Sequence, residues 1–321
     1  MDNKKTLFIK GNFLYYLLII FTFFISWGWV VNSNAKDIIN AAGAGYWFPG
    51  DPYELREMVT KFITQAKVDE PGGNVVANIT PHAGYTYSGK GAGYSFAVFA
   101  KEKYRKKIKR AILLGPSHRS YFHGAAILDA DIYRTPLGDI PINREISKKL
   151  VKPPLLKIMN KVHTGEHSLE NQLPFLQVAL PGCSIVMILI GELDYSDYEQ
   201  IGNALKSVMD DKTILVVSSD FTHFGPSYGY LPFPINKDTR ENIEKLDMGA
   251  AEKICNLDFD GFYKYMEKTK ATICGKNPIG VLLKTLPPSA KGKVVNYYTS
   301  SDLTHDFSLS VSYASIIFYL K

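Results

Sequence analysis

Three apolar, β-branched runs, NVVANIT at 74–80, RAILL at 110–114 and TILVVSS at 213–219, each break into a turn that carries a histidine or an acid. The turns are PHAGYTYSG (81–89), GPSH (115–118) and DFTH (220–223). Short apolar runs bounded by such turns read as strands, and strands without alternation belong in a sheet covered on both faces. In an open α/β sheet the carboxyl ends of adjacent parallel strands converge on one crevice, so His82, His118, Asp220 and His223 are brought toward a common ligand. SIVMILI (184–190) supplies a fourth buried strand.

The chain has 321 residues, 46% hydrophobic and 21% charged, enough for one large domain with a substantial core. Of the formal charge of +6, a net +2 lies in the first 35 residues, in Lys4, Lys5 and Lys10 against Asp2. The remaining cations are interspersed with acids except in KEKYRKKIKR (101–110), which reads as the solvated end of a helix, so no nucleic-acid partner is expected. Cys183, Cys255 and Cys274 are too few for a disulfide framework, and the first two read as packing residues.

From the amino terminus, a basic dodecapeptide precedes a nonpolar run from Phe13 to Val31, long enough to cross a bilayer, and Ser33-Asn34-Ala35 offers a small-x-small cleavage pattern. Residues 1–35 are therefore expected to be a signal peptide or signal anchor with membrane contact through 13–31, and residues 36–321 the α/β domain. That arrangement implies an extracytoplasmic location, secreted or membrane-anchored. The alternative is a cytoplasmic protein whose first segment is not a targeting signal.

Asp51-Pro52 is a helix start, followed by an apolar stripe of Leu55, Met58, Val59 and Phe62. Residues 90–104 read as a helix, 124–140 as a hairpin-like insert, and 165–180 as a helix that Pro174 kinks or restarts. Further helices are expected at 197–208, 238–256, 259–269 and 278–286, the last capped by Asn277. GKVVNYYTSSDLTH and FSLSVSYASIIFYL close the chain as strands with an edge that must be paired or covered. The expected fold class is α/β: a single three-layer domain with a predominantly parallel or mixed central sheet, preceded by the hydrophobic segment.

His82 and His118 follow strands one βαβ length apart, and neutral imidazoles on adjacent strand ends can share an ion. Cys274 is the third ligand candidate, because the helix start beside it supplies a positive field that favours thiolate; a small buried cysteine is the plainer reading. Such a His/His/Cys set prefers Fe(II), Cu(I) or Zn(II) to magnesium or calcium. Asp220 and His223 are candidates for orientation and proton transfer, and Glu166 with His167 for a second acid/base pair, although an acidic helix such as 166–170 is also what a solvated face looks like. His123, His163 and His305 read as polar loop residues. G-x-S-x-G, P-loop, G-x-G-x-x-G and H-E-x-x-H motifs are absent, and GKGAGYS lacks the setting of a dinucleotide turn.

PHAGYTYSG (81–89), LGPSH (114–118), DIYRTPLGD (131–139), EHSLENQLPFLQ (166–177), SSDFTHFG (218–225) and ICGKNPIGVLL (273–283) form an ordered set. With it the chain resembles the MEMO family, the mediator of ErbB2-driven cell motility proteins and their microbial relatives, from about residue 41 to the last strand. The family is similar in fold to class III extradiol dioxygenases. The resemblance implies metal ligation by His82, His118 and Cys274, with Asp220, His223, Glu166 and His167 lining the same cavity. Dioxygenase relatives hold non-haem Fe(II) with two histidines and a carboxylate, whereas here a cysteine takes the carboxylate's place. The resemblance also implies iron or copper redox chemistry; its animal members are associated with binding of a phosphotyrosine-bearing receptor tail. The expectation is a metal-binding protein, an iron- or copper-dependent oxidoreductase of dioxygenase-like kind. The alternatives are a noncatalytic module binding a peptide or small-molecule ligand, and a metal-dependent hydrolase.

Overall fold

The buried runs form the middle of a nine-stranded mixed sheet in the computed structural model, which describes residues 36–69 and 71–321. The strands of this sheet are β2 (Asn74–Thr80), β3 (Arg110–Pro116), β4 (Ala125–Ile127), β7 (Leu156–Ile158), β8 (Ser184–Ile190), β9 (Thr213–Ser218), β10 (His223–Phe224), β11 (Lys291–Thr299) and β12 (Ser310–Leu320). Their order is β10-β12-β2-β9-β3-β8-β4-β7, with β11 on β12. The four central strands, β2-β9-β3-β8, are mutually parallel, and Thr80 lies beside Ser218 where β2 and β9 end together. The topology thus carries the segments that follow β2, β9 and β3 to one edge. A separate three-stranded sheet joins β1 (Ile38–Asn40), β5 (Ile132–Thr135) and β6 (Gly138–Pro141).

Successive side chains of a strand point to opposite faces, and here both faces are apolar cores. Ile214 and Val216 of β9 enter one core with Leu113 and Met187, while Leu215 and Val217 enter the other with Ile112 and Val186. The first core is covered by helices Pro52–Gln65, Tyr85–Ala97 and Leu173–Ala179, the second by Tyr195–Lys206, Thr239–Cys255, Phe259–Thr269 and Lys276–Thr285. The fold is therefore three-layered α/β. Asp51 caps the first helix by accepting from the N–H groups of Tyr53 and Glu54, and Leu55, Val59 and Ile63 form its buried face. The glycines of GKGAGYS serve helix packing: a Cβ at Gly93 would sit 2.4 Å from the Phe62 carbonyl oxygen.

Several expectations change. The helix after β2 begins at Tyr85, so PHAG alone is the turn, and it ends at Ala97. Of the two expectations for Pro174 the restart holds: 165–180 is two helices, His167–Glu170 and Leu173–Ala179, with Pro174 in the first turn of the second. The last of the distal helices starts at Lys276, with Gly275 at its cap position. Asn277 bonds instead to the Tyr198 hydroxyl at 2.6 Å and the Gly191 carbonyl at 2.8 Å. SSDLTH is a helical turn, Ser301–Thr304, between strands, and β12 is an interior strand between β11 and β2 rather than an edge.

The expectations of a signal peptide, membrane contact and an extracytoplasmic location are corrected. Among the described residues no helix is long and apolar enough to cross a membrane. The run at 13–31 on which those expectations depended lies outside the described residues.

Candidate metal centre

His82, in the turn after β2, and His118, in the turn after β3, meet Cys274 from the loop before Lys276–Thr285, with one ligand atom of each within 4.8 Å of the others. His82 Nε2 lies 3.3 Å from the Cys274 sulfur. Two donors bound to one tetrahedral ion at ordinary Zn–N and Zn–S lengths stand about 3.5 Å apart, so this pair fits a shared ion.

The hydrogen-bond network assigns the imidazole protons. The Ser218 hydroxyl donates to the Ser168 carbonyl, so at His82, 2.8 Å away, it accepts the Nδ1 proton. His118 Nδ1 is 3.0 Å from Glu166 Oε1, a carboxylate that accepts only. His223 Nδ1 donates to the carbonyls of Phe221 and Thr272, each at 3.0 Å. In all three rings Nδ1–H is held by the protein and the Nε2 lone pair is left for a ligand or a proton, the arrangement that fixes metal-binding histidines.

Ionisation agrees with this. His82 is held well below its ordinary range by burial and by the nearby His118, His167 and His223. Burial, then the proximity of His118, pushes His167 down to about 4. Glu166 moves the other way from what burial alone would cause: hydrogen bonds from the ring and backbone of His118 and from the Ser168 N–H bring it down to about 2. Cys274 departs from the sequence expectation. Burial and then the Asp220 carboxylate push its thiol well up, outweighing the helix-start field, so without an ion to stabilise thiolate the sulfur stays protonated.

The segment EHSLENQ (166–172) holds the site together and is buried, not solvated: Glu166 is 3% and Glu170 1% exposed. Glu166 accepts from the His118 N–H at 2.6 Å, and Ser168 Oγ donates to the Pro116 carbonyl at 2.8 Å, tying the segment to β3. Asn171 Nδ2 donates to the His82 carbonyl at 2.7 Å. Gln172 donates to the Pro81 carbonyl and Ser218 Oγ, each at 3.0 Å, and accepts from Thr80 Oγ1, bridging β2 to β9. Glu170 accepts from the N–H groups of Ala42 and Gly43 and from Tyr133, fixing the strap that carries Trp47. Trp47 stacks on His167 at 4.1 Å between centroids, and His167 on His118 at 4.8 Å. Helical spacing alone gave no sign of this burial; the density of amide and carboxylate groups among Leu residues was the available signal.

Asp220 accepts the His82 backbone N–H at 2.8 Å rather than bonding an imidazole, and burial raises its carboxyl although His223 pulls it down. His163, expected in a polar loop, is buried with Nε2 on the Ala126 carbonyl at 3.0 Å. His123 is at the surface and, with Asp194 and Asp197, forms a group already engaged: Asp197 meets His123 at 2.9 Å and accepts from the N–H of Asp194, the N-cap of the helix Tyr195–Lys206.

Two cavities flank the centre. One, of about 360 Å³, has His118, Cys274, Arg119 and Lys276 in its wall. The other, of about 410 Å³, lies beyond Ala83 and is faced with Trp47, Tyr85, Tyr87, Tyr228 and Tyr313.

Fold and site together define a class, a three-layer α/β protein with an imidazole–thiol cluster at the carboxyl edge of its parallel strands. Residues 40–317 match the family described as Memo-like protein, and the chain belongs to that family. It is 31% identical over 303 residues to "Protein memo-1 homolog" of Caenorhabditis elegans, covering 90% of this chain and 85% of that one. It is 30% identical over 288 residues to "MEMO1 family protein" of Thermococcus onnurineus, covering 86% and 98%. Among solved structures, uncharacterized protein JW3007 from Escherichia coli K12 is similar with a TM-score of 0.49 at 11% identity, over 75% of this chain and 99% of that one.

Proposed function

We propose that this protein binds one metal ion through Nε2 of His82, Nε2 of His118 and the sulfur of Cys274, and presents it to a small-molecule or peptide ligand in the adjoining cavities. The observation that carries the reading is that these donors, from three remote segments, lie within 4.8 Å of one another while the Nδ1 proton of each imidazole is tied to protein. The donor set suits Fe(II), Cu(I) or Zn(II). A bound ion would supply Lewis acidity, or redox chemistry if it is iron or copper.

The chain's own groups have separable tasks in this reading. Glu166 orients His118 and is ionised at neutral pH. His223, with its Nδ1 already engaged, takes or returns a proton of the ligand at Nε2, Asp220 sets the turn after β9 against that after β2, and His167 is stacked between Trp47 and His118. The imidazole of His223, with Nδ1 held by the Phe221 and Thr272 carbonyls, favours a second, finer reading, an iron- or copper-dependent oxidoreductase of dioxygenase-like kind; binding alone does not need a proton-transferring ring there.

The test is elemental analysis after anaerobic loading, followed by oxygen consumption. One ion per chain is expected in the wild type and a large loss in His82→Ala and Cys274→Ala. Unchanged metal content in both variants would remove the centre. Metal-dependent oxygen uptake abolished by His223→Ala would select the oxidoreductase; saturable ligand binding without turnover would select the binding module.

A further inference from the structure

At the amino ends of the strands whose carboxyl ends carry the metal centre lies a cavity of about 460 Å³, larger than either of the two beside the centre. Val76 of β2, Leu320 of β12, Met209 and the turn Leu286-Pro287-Pro288 line it. Val76, Met209 and Leu320 pack on the second core and are only half-buried, so that core reaches the surface here. The polar groups of the wall are already committed. The Thr285 hydroxyl donates to the Val281 carbonyl at 2.7 Å, and the Thr213 hydroxyl donates to Asp210 Oδ1 at 2.7 Å while accepting from Arg110 Nε at 3.1 Å. Asp210, the one carboxylate of the lining, also pairs with the Arg110 guanidinium and accepts from the Lys212 N–H at 3.0 Å. The N–H groups of Met209 and Leu286 are bonded to the carbonyls of Leu205 and Leu282, and the two prolines bring none. Lys206 is the exception. Its exposed ammonium has a neutral partner, the Asn203 amide oxygen at 3.2 Å, and among the described residues it pairs with no carboxylate. A hydrocarbon wall therefore ends at one uncompensated positive charge.

We propose that this cavity binds a medium-chain carboxylate, its alkyl chain against Val76, Met209, Leu286 and Leu320 and its head on the Lys206 ammonium. No metal ligand takes part, so the site stands whether or not the centre at the other end of the strands holds an ion. The chain supplies the affinity, because every methylene removed from water is favourable whereas an exposed ion pair adds little. The ammonium supplies the choice of head group: an anion gains from it, a neutral head does not, and a cation is repelled. Asp210 does not cancel that charge, since Arg110 already compensates it.

The experiment titrates the full chain with octanoate by ligand-observed NMR, with octan-1-ol and octylammonium as neutral and cationic controls and hexanoate and decanoate as the chain-length series. Saturable binding of octanoate is expected, about threefold tighter than that of octan-1-ol, and affinity should rise about tenfold for every two methylenes added. Lys206→Met should weaken octanoate about threefold and Lys206→Arg should retain it. Met209→Glu, which sets a carboxylate in the apolar wall, should abolish binding, and all three variants should melt as the wild type does. His82→Ala should bind octanoate like the wild type. No saturation, equal affinity for octan-1-ol or octylammonium, or unchanged affinity in Lys206→Met or Met209→Glu would overturn the proposal. Loss of binding in His82→Ala would also overturn it, by placing the ligand at the metal centre.

Discussion

His82 Nε2 and the Cys274 sulfur stand 3.3 Å apart although 192 positions separate them in the chain. The contact joins a neutral imidazole, whose other nitrogen is bound to Ser218, to a thiol that burial and Asp220 keep protonated. A cation between them would replace the thiol proton, so ion binding and deprotonation are one event. The expected outcome is a metal affinity that rises about tenfold per pH unit between about pH 6 and 8, with close to one proton released per ion. Calorimetry in buffers of different ionisation enthalpy reads the proton count. Release of no proton would exclude Cys274 as a thiolate ligand.

Glu166 is the group that aims His118. It accepts from both the backbone N–H, at 2.6 Å, and Nδ1, at 3.0 Å. In Glu166→Gln one acceptor becomes a donor, so the two bonds cannot both persist. Loss of such a ligand-orienting partner typically lowers metal affinity about 10–100-fold. Chelator competition is expected to show a fall in that range with the stoichiometry kept; equal affinities would mean that His118 is aimed by packing alone.

Gln172 carries a structural load distinct from that of Glu166. Its amide satisfies Thr80, Pro81 and Ser218, all buried at the ends of β2 and β9. Gln172→Leu has nearly the same volume and leaves the Thr80 hydroxyl and the Pro81 carbonyl unmet, at about 1–3 kcal/mol for each one that finds no water, while Ser218 keeps its bonds to Ser168 and His82. A destabilisation of about 2–4 kcal/mol is expected in urea unfolding. A change under about 0.5 kcal/mol, the usual surface value, would show that the bridge is dispensable.

The central strands were legible because they are buried on both faces, which leaves an unbroken apolar run that a turn must end. His82, His118 and His223 were legible for the same reason, standing where those runs stop. What the sequence hid was non-local. EHSLENQ has the spacing of a solvated acidic helix, and only the ends of β2, β3 and β9 closing over it reveal that its acids and amides are structural. Asn277 looked like a cap because it precedes a proline, but Tyr198 and Gly191 claim its side chain. Cys274 shows competing magnitudes: the local helix-start field is real, and desolvation with a neighbouring carboxylate overrides it. The position of β12 inside the sheet follows from pairing with β2, more than two hundred residues earlier, which no local pattern encodes.

His163 provides a pH test outside the proposed ligand set. Burial pushes its imidazole down to about 4 from an ordinary 6.5, despite the hydrogen bond to Ala126. The folded state therefore holds this ring neutral where the unfolded chain would protonate it. Its contribution to stability is complete above pH 6.5 and is lost as pH falls from 6.5 toward 4, because over that window the unfolded state binds more protons. The shift corresponds to roughly 2–3 kcal/mol lost between about pH 7.5 and 4.5. His82 and His167 are depressed in the same direction and add to the acid sensitivity. His163→Gln can retain a donor to the Ala126 carbonyl but does not titrate. Denaturant unfolding at the two pH values should therefore show a gap about 2 kcal/mol smaller in the variant than in the wild type. A gap of equal size would place the acid sensitivity elsewhere and show that His163 keeps a near-normal affinity for protons in the folded protein.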